Sequence, residues 1–250
     1  MKSCAELKTI NHDKTHTSME IPVKNNLLQN LADKSITKQD LLRTLEGDFS
    51  ILPLVIEGVS SHKAAVRYGC ASVLMDLSRD HPERLYPYFS YFEELLDSRY
   101  RILTWNALAI LANLARVDVD SRFDAVFIKY YSFLNDEYMV TVANVVGNSG
   151  KIALAKPHLA QKVADELLKV DKISVTPHLT EECKRVIAEA AIESFDVFFN
   201  QVINRDGIIE FVKSQLNSPR ASLKAKAEKF IKKWGHARDS RVQIVKESEV

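Results

Sequence analysis

The stretch from Leu95 to Ala115, LLDSRYRILTWNALAILANLA, recurs in outline at three other places in the chain, and this self-similarity constrains the fold more than any other property. Moved back by 37 positions it lies over Gly58 to Ser78, and moved forward by 38 it lies over Phe133 to Ala153. A shift of 120 reaches Leu216 to Trp234, where Asn217-Ser218 replaces Asp97-Ser98. The apolar columns agree. Leu103, Ala107, Leu111 and Leu114 fall on Val66, Cys70, Leu74 and Leu77, on Thr141, Val145, Ser149 and Ile152, and on Leu223, Ala227, Ile231 and Trp234. The spacing i, i+4, i+8, i+11 holds one face of an α-helix. A period near 37 then implies helix, tight turn, helix, stacked into an all-α solenoid of about five to six pairs.

The remaining elements follow from local signals. Pro22 opens a helix through Leu31, and Thr37 with Asp40 caps a second one ending at Gly47, which together make an N-terminal capping pair. Residues 49–59 pair with 63–78, 88–96 with 101–116, and 123–134 with 140–155. Pro87, rather than Pro82, is expected to open the second of these pairs. After Pro157 a helix over 158–170 is followed by a long connection, DKISVTPHLTEE, and a helix over 183–200. In that helix Ile187, Ala191, Phe195 and Phe198 restore the columns at a shift of 84, so the connection reads as a loop insertion within one repeat. Pairs over 208–216 and 223–234 close the stack. The expected organisation is a repeat domain over 21–236 between a disordered tail, 1–20, and a charged tail, 237–250.

Composition excludes several classes. The first 20 residues lack the apolar core of a signal peptide, and no later run approaches the ~18 apolar residues of a spanning helix, so a cytoplasmic chain with no membrane partner is expected. Cys4, Cys70 and Cys183 are odd in number and lack CxxC spacing, which argues for free or buried thiols and no metal site. With 34 basic and 33 acidic side chains there is no general attraction to nucleic acid. No Gly-rich phosphate loop, HExxH or GxSxG occurs, and GNSGK at 147–151 lacks the spacing of a P-loop. Neither a catalytic residue nor a cofactor is expected.

Pro53 and Pro87 in first helices, Leu95-Leu96-Asp97 ending one of them, and Val66-Arg67 followed by Cys70 in a second helix resemble the HEAT repeat family over residues 49–236. Thr104, Val142 and Lys224 stand where the family often has Arg, and Ser60 where it often has Asp, so the Asp-Arg ladder between repeats is incomplete. Asn106 and Asn144, which share a column, are expected to supply inter-repeat hydrogen bonds instead. The resemblance implies a right-handed superhelix whose second helices line a concave face.

Taking the positions opposite the buried columns places Tyr68, Met75 and Arg79, then Trp105, Ala112 and Arg116, then Gly147, Gly150 and Leu154 on that face. Aromatic, Met and Arg side chains carry binding energy, and Ala and Gly let a partner approach the backbone. Glu193 with Lys229 and Asp196 with Lys232 are expected to form an inter-repeat charge ladder. The reading is a non-enzymatic scaffold that takes a protein or peptide partner. The alternative is a nucleic-acid protein resembling the HEAT-like alkylpurine DNA glycosylases, disfavoured because Glu189, Glu193 and Asp196 would repel a phosphate backbone.

Overall fold

The computed structural model describes residues 20–235. The expectations for the two tails lie outside them, except that Glu20 begins the first helix. The helices are α1 (Glu20–Ala32), α2 (Lys38–Gly47), α3 (Leu52–Gly58), α4 (Ala64–Asp80), α5 (Pro82–Leu85), α6 (Phe89–Glu94), α7 (Arg101–Leu114), α8 (Arg122–Ser132), α9 (Met139–Ala155), α10 (Ala160–Leu167), α11 (Glu181–Phe198), α12 (Asp206–Ser214) and α13 (Ala221–Trp234). They form helix pairs, with α5 and α6 together acting as one first helix before α7. Among the described residues the only pairing of extended backbone is an isolated bridge between Thr176 and Leu179. Backbone contacts group the chain into two compact units, Met1–Val73 and Leu74–Val250, the cut falling inside α4.

One device makes the turn in each regular pair. The first helix tightens into a 3-10 turn, as at Leu95–Asp97, Phe133–Asn135 and Gln215–Asn217. The next residue is extended, and its side-chain oxygen accepts the N–H two residues on. Ser98 accepts from Tyr100 at 3.2 Å, Asp136 from Tyr138 at 2.8 Å, and Ser218 from Arg220 at 3.3 Å. Ser61 does the same for Lys63 at 3.2 Å. These four residues occupy one column of the repeat, so the Asp-Ser signature at 97–98 is a turn with a mechanism. A short side-chain oxygen competes with helical bonding and separates the two helices.

In the first unit, Thr37 and Asp40 form the expected capping box on α2: the Thr37 hydroxyl oxygen accepts from the Asp40 N–H at 3.2 Å, and the Asp40 carboxylate from the Thr37 N–H at 2.9 Å. Those hydrogen bonds hold the Asp40 carboxyl below its ordinary value. Gly58 permits a close approach between α3 and α4, since a Cβ there would stand 2.5 Å from the Cys70 sulfur. Cys70 is fully buried, and burial pushes its thiol up to about 12.

In the second unit, the first helix before α7 starts at Pro82 and breaks at Pro87, giving a 3-10 turn at Tyr86–Tyr88. Both prolines therefore act, because Pro87 cannot continue the hydrogen bonding of α5. The columns read from sequence are buried in α7, α9 and α11, where Leu103, Ala107, Leu111 and Leu114, Val145 and Ile152, and Ile187, Ala191, Phe195 and Phe198 form the core. In α13 the column departs: Phe230 is buried, whereas Ile231 and Trp234 are half-buried. Among the described residues α13 packs chiefly against α11 and α12, so its apolar arc is narrow.

The insertion is anchored along its length. The Thr176 hydroxyl donates to the Glu137 carbonyl at 2.7 Å, and the Met139 N–H to the His178 carbonyl at 3.3 Å. Leu179 is fully buried, and the His178 ring stacks on Tyr138 at 4.2 Å. Thr180 then caps α11 by accepting the Cys183 N–H at 3.3 Å.

Candidate functional site

Second helices form a continuous layer in the second unit, with α9 packed between α7 and α11 and α11 against α13. The residues this layer leaves open are Ile102, Asn106 and Ala109 on α7 with Arg116 in the 3-10 turn after it, Val140, Asn144, Gly147, Lys151 and Leu154 on α9, and Glu193 and Val197 on α11. Ile102, Val140, Leu154 and Val197 are large apolar side chains between 41% and 51% exposed, and they stand on three adjacent helices.

This strip overlaps the predicted face without coinciding with it. Arg116, Gly147 and Leu154 are on it, Arg79 on α4 adjoins it through its carbonyl bond to Arg116, and Met75, also on α4, is half-buried. Gly147 has open space above it, with nothing within 4 Å of where a Cβ would be. Gly150 and Ala112 are buried, which corrects their placement. A Cβ on Gly150 would sit 3.3 Å from the Val197 Cβ and 3.4 Å from the Ser194 carbonyl oxygen, so Gly150 serves the packing of α9 on α11. Tyr68 lies in the first unit, half-buried beside the Arg67 guanidinium, which is 4.6 Å from its ring centre.

Trp105 is half-buried, and its indole N–H donates to the Thr141 hydroxyl at 3.0 Å. The ring walls a cleft of about 280 Å³ shared with Arg101, Phe133 and Asp136. It is both an inter-repeat tie and a cleft wall, and less exposed than the sequence implied. The expected ladder through Asn106 and Asn144 is also corrected. Asn144 donates to the Val140 carbonyl of its own helix at 2.8 Å, and Asn106 makes no hydrogen bond among the described residues. The bridging amide is Asn113, which donates to the Ser78 hydroxyl at 2.9 Å and accepts from the Lys151 ammonium at 3.3 Å.

Charge is unevenly spread over the strip. Arg116 donates to the Arg79 carbonyl oxygen, and Lys151 to Asn113 and, at 3.0 Å, to the Asn148 side-chain oxygen. Burial, then the positive charges of Arg79 and Arg116, depress the Lys151 ammonium below its ordinary value. At the other end a charge ladder joins α11 to α13, with lysines other than those predicted. Glu193 pairs with Lys226, and Asp196 with Lys233 at 2.7 Å and with the Trp234 indole N–H at 2.6 Å. Lys229 and Lys232 are exposed and pair with neither, because α13 presents its 226 and 233 positions to α11. Glu189 accepts from Arg220 at 2.9 Å, from Lys226 at 2.7 Å and from Ser222 at 2.8 Å. Burial alone would raise its carboxyl, but these partners hold it down to about 2. The carboxylates expected to repel a phosphate backbone, Glu189, Glu193 and Asp196, are thus each paired with a cation.

Sequence reasoning missed a buried ionic network where α7 and α9 lead into the first helices that follow them. Lys156, 6% exposed in its side chain, donates to the fully buried Asp118 carboxylate at 2.6 Å and lies 3.1 Å from Asp124. Asp118 also accepts the N–H groups of Arg122 at 2.8 Å and Phe123 at 2.9 Å, starting α8, and the Tyr86 hydroxyl at 2.7 Å. His158 pairs with Asp124. Burial favours neutral forms here. The hydrogen bonds win: both carboxyls are lowered and the Lys156 ammonium is raised. The signal in sequence was Asp118 at the end of one repeat and Lys156, one repeat length later, just before Pro157.

These features define the class of protein, an armadillo-like helical repeat solenoid. Among solved structures the chain is similar to a designed armadillo repeat protein, YIII(Dq)4CqI, at 16% identity over 86% of this chain and 94% of that one, with a TM-score of 0.54. It is likewise similar to an engineered protein from the Northeast Structural Genomics Consortium, at 14% identity over 86% of this chain and 92% of that one, with a TM-score of 0.53. At these identities the likeness is one of fold. No family model and no curated protein matches the chain. No helix among the described residues is long and apolar enough to cross a membrane.

Proposed function

We propose that the chain is a binding scaffold that takes an extended segment of another protein along the open strip of α7, α9 and α11. The observation that supports this reading most is the strip itself. Half-exposed apolar side chains, the unengaged amide of Asn106 and the bare backbone at Gly147 lie next to each other on consecutive helices. Apolar side chains supply burial on binding, and an amide supplies both a donor and an acceptor to a peptide backbone.

Gly147→Tyr tests the proposal. A side chain there points into open space, so helix content and thermal stability should be retained, while the ring blocks the middle of the strip. Peptides selected from a displayed random library on the wild-type chain should lose binding to Gly147→Tyr. Undiminished binding by a folded Gly147→Tyr chain would place recognition elsewhere and end the proposal.

A further inference from the structure

Resting on the open-strip reading, we infer that Arg79, Arg116 and Lys151 form an anion anchor, and that the segment bound by the strip carries an aspartate or glutamate there. The three cations come from three successive repeats, Arg79 on α4, Arg116 in the turn after α7 and Lys151 on α9, and are tied into one cluster. Arg116 donates to the Arg79 carbonyl, and Lys151 is joined through Asn113 to Ser78, one residue before Arg79. The acceptors that hold Arg116 and Lys151 are neutral: a backbone carbonyl and two side-chain amide oxygens. No carboxylate pairs with either among the described residues. Arg79 has Asp76 and Asp80 at 3.6 Å, but its side chain is 63% exposed, and ion pairs so open to water contribute little.

Arg116 and Lys151 therefore stand near each other as like charges with no carboxylate paired to either, and Lys151 is partly desolvated as well. An anion placed between Arg116 and Lys151 relieves that repulsion and gains charge-assisted hydrogen bonds. Polyanions fit less well than a single acidic side chain. Beyond Lys151 the strip becomes apolar at Leu154 and Val197, and then meets the exposed carboxylate of Glu193. A phosphate backbone running on would leave those apolar side chains in water and would find Lys226 already paired with Glu193.

The geometry also fixes a spacing. Adjacent packed helices stand roughly 10 Å apart, and an extended chain in the polyproline II conformation rises about 3.1 Å per residue with residues three apart on one face. Val197 occupies the column of Lys151 one repeat further along, so an apolar residue about three positions from the acidic one would reach Val197. The motif expected in the bound segment is an acidic residue followed three positions later by a large apolar one.

The experiment is selection of random dodecapeptides displayed on phage against the wild-type chain and against a double variant, Arg116→Ser with Lys151→Gln. Far-UV circular dichroism verifies that the variant is folded. It should be, since Arg116 and Lys151 are surface residues and the substitution removes like charges. Wild-type binders should be enriched in the acidic and apolar spacing, should weaken with added salt, and should bind the variant about tenfold or more weakly. Binders without acidic residues that hold both proteins equally, yet fail on Gly147→Tyr, would overturn the anion anchor and leave the open strip standing. No selectable peptide, or peptides indifferent to Gly147→Tyr, would overturn both. Binding of single-stranded DNA that is lost in the double variant, with no acidic peptides selected, would replace the peptide segment by nucleic acid.

Discussion

Replacing Lys156 by Met should be among the most damaging single changes in the second unit. Met keeps the length and most of the volume of the lysine stem, so packing changes little and the effect isolates the charge. The Asp118 carboxylate has no exposed surface, and its ammonium partner at 2.6 Å would be gone. Removing one member of a buried pair typically costs about 3 to 5 kcal/mol, because the remaining charge is left uncompensated. For a chain of this size each kcal/mol moves the midpoint by about 2 to 4 °C, so thermal unfolding followed by circular dichroism should shift down by roughly 6 to 20 °C. The deficit should depend on pH. In the wild type the Asp118 carboxyl is held below its ordinary value, so its stabilising contribution is present above the unfolded value of 3.8 and lost as pH falls through the folded one. In the variant only burial and the remaining donors act on Asp118. Its folded pKa rises, and acidification relieves the cost of the buried charge. The gap between the two proteins should therefore narrow toward acid. The raised Lys156 ammonium gives the complementary edge, contributing stability below its unfolded value of 10.5 and losing it as pH climbs through the folded one. A shift under about 1 kcal/mol at neutral pH, or a gap that widens in acid, would refute the claim that this network is desolvated and mutually compensated.

Gly147→Ala should stabilise α9 by about 0.5 to 1 kcal/mol, since the site is open and glycine is a poor helix former, whereas Gly150→Ala should gain nothing because its Cβ presses on Val197; equal midpoints would contradict the assignment of the two glycines. Trp105→Ala should cost about 1 to 3 kcal/mol, less than the ~2 to 5 kcal/mol of Leu111→Ala at a fully buried site, and a cycle with Thr141→Val should reveal coupling through their hydrogen bond in denaturant titrations. Glu189→Gln should cost roughly 2 kcal/mol and Glu193→Gln under about 1 kcal/mol, as their side chains are 13% and 59% exposed. The Glu189 contribution, present above its unfolded value of 4.5, should fade as pH drops from there toward about 2, which an acid titration of stability with the two variants would measure.

The fold was legible because a solenoid writes its unit into the chain several times over. Columns such as Leu103, Ala107, Leu111 and Leu114 agree with their counterparts at each shift, and burial must select them wherever the repeat is stacked on both sides. The turn was legible as Asp97-Ser98 and its counterparts, although its mechanism needed the geometry at Ser61, Ser98, Asp136 and Ser218. Long-range polar pairs were not legible in the same way. Lys226 and Lys229, or Lys232 and Lys233, are separated by only about 60° and 100° around the helix, and that is enough to decide which one reaches the carboxylate on α11. Periodicity says which residues are polar without saying which neighbour each one reaches.

The open strip was misplaced for a physical reason that also explains which residues moved onto it. Taking the positions opposite the buried column assumes a helix buried along one narrow stripe. A second helix of this stack instead packs against its own first helix and against a second helix on either side, so more than half of its circumference is covered. What stays open is a narrow remnant whose centre depends on how unequal the flanking contacts are. On α7 it falls about 50° from the expected position at 100° per residue, which takes in Asn106 and draws Asn113 toward it while burying Ala112. The same rotation on α9 exposes Asn144 and Lys151 and buries Gly150. It turns a face predicted to be floored with small residues and headed by Trp105 into one bearing amides, exposed aliphatic side chains and a clustered set of cations. These are groups that can bond a backbone, bury an apolar side chain and hold a carboxylate within the reach of one extended peptide.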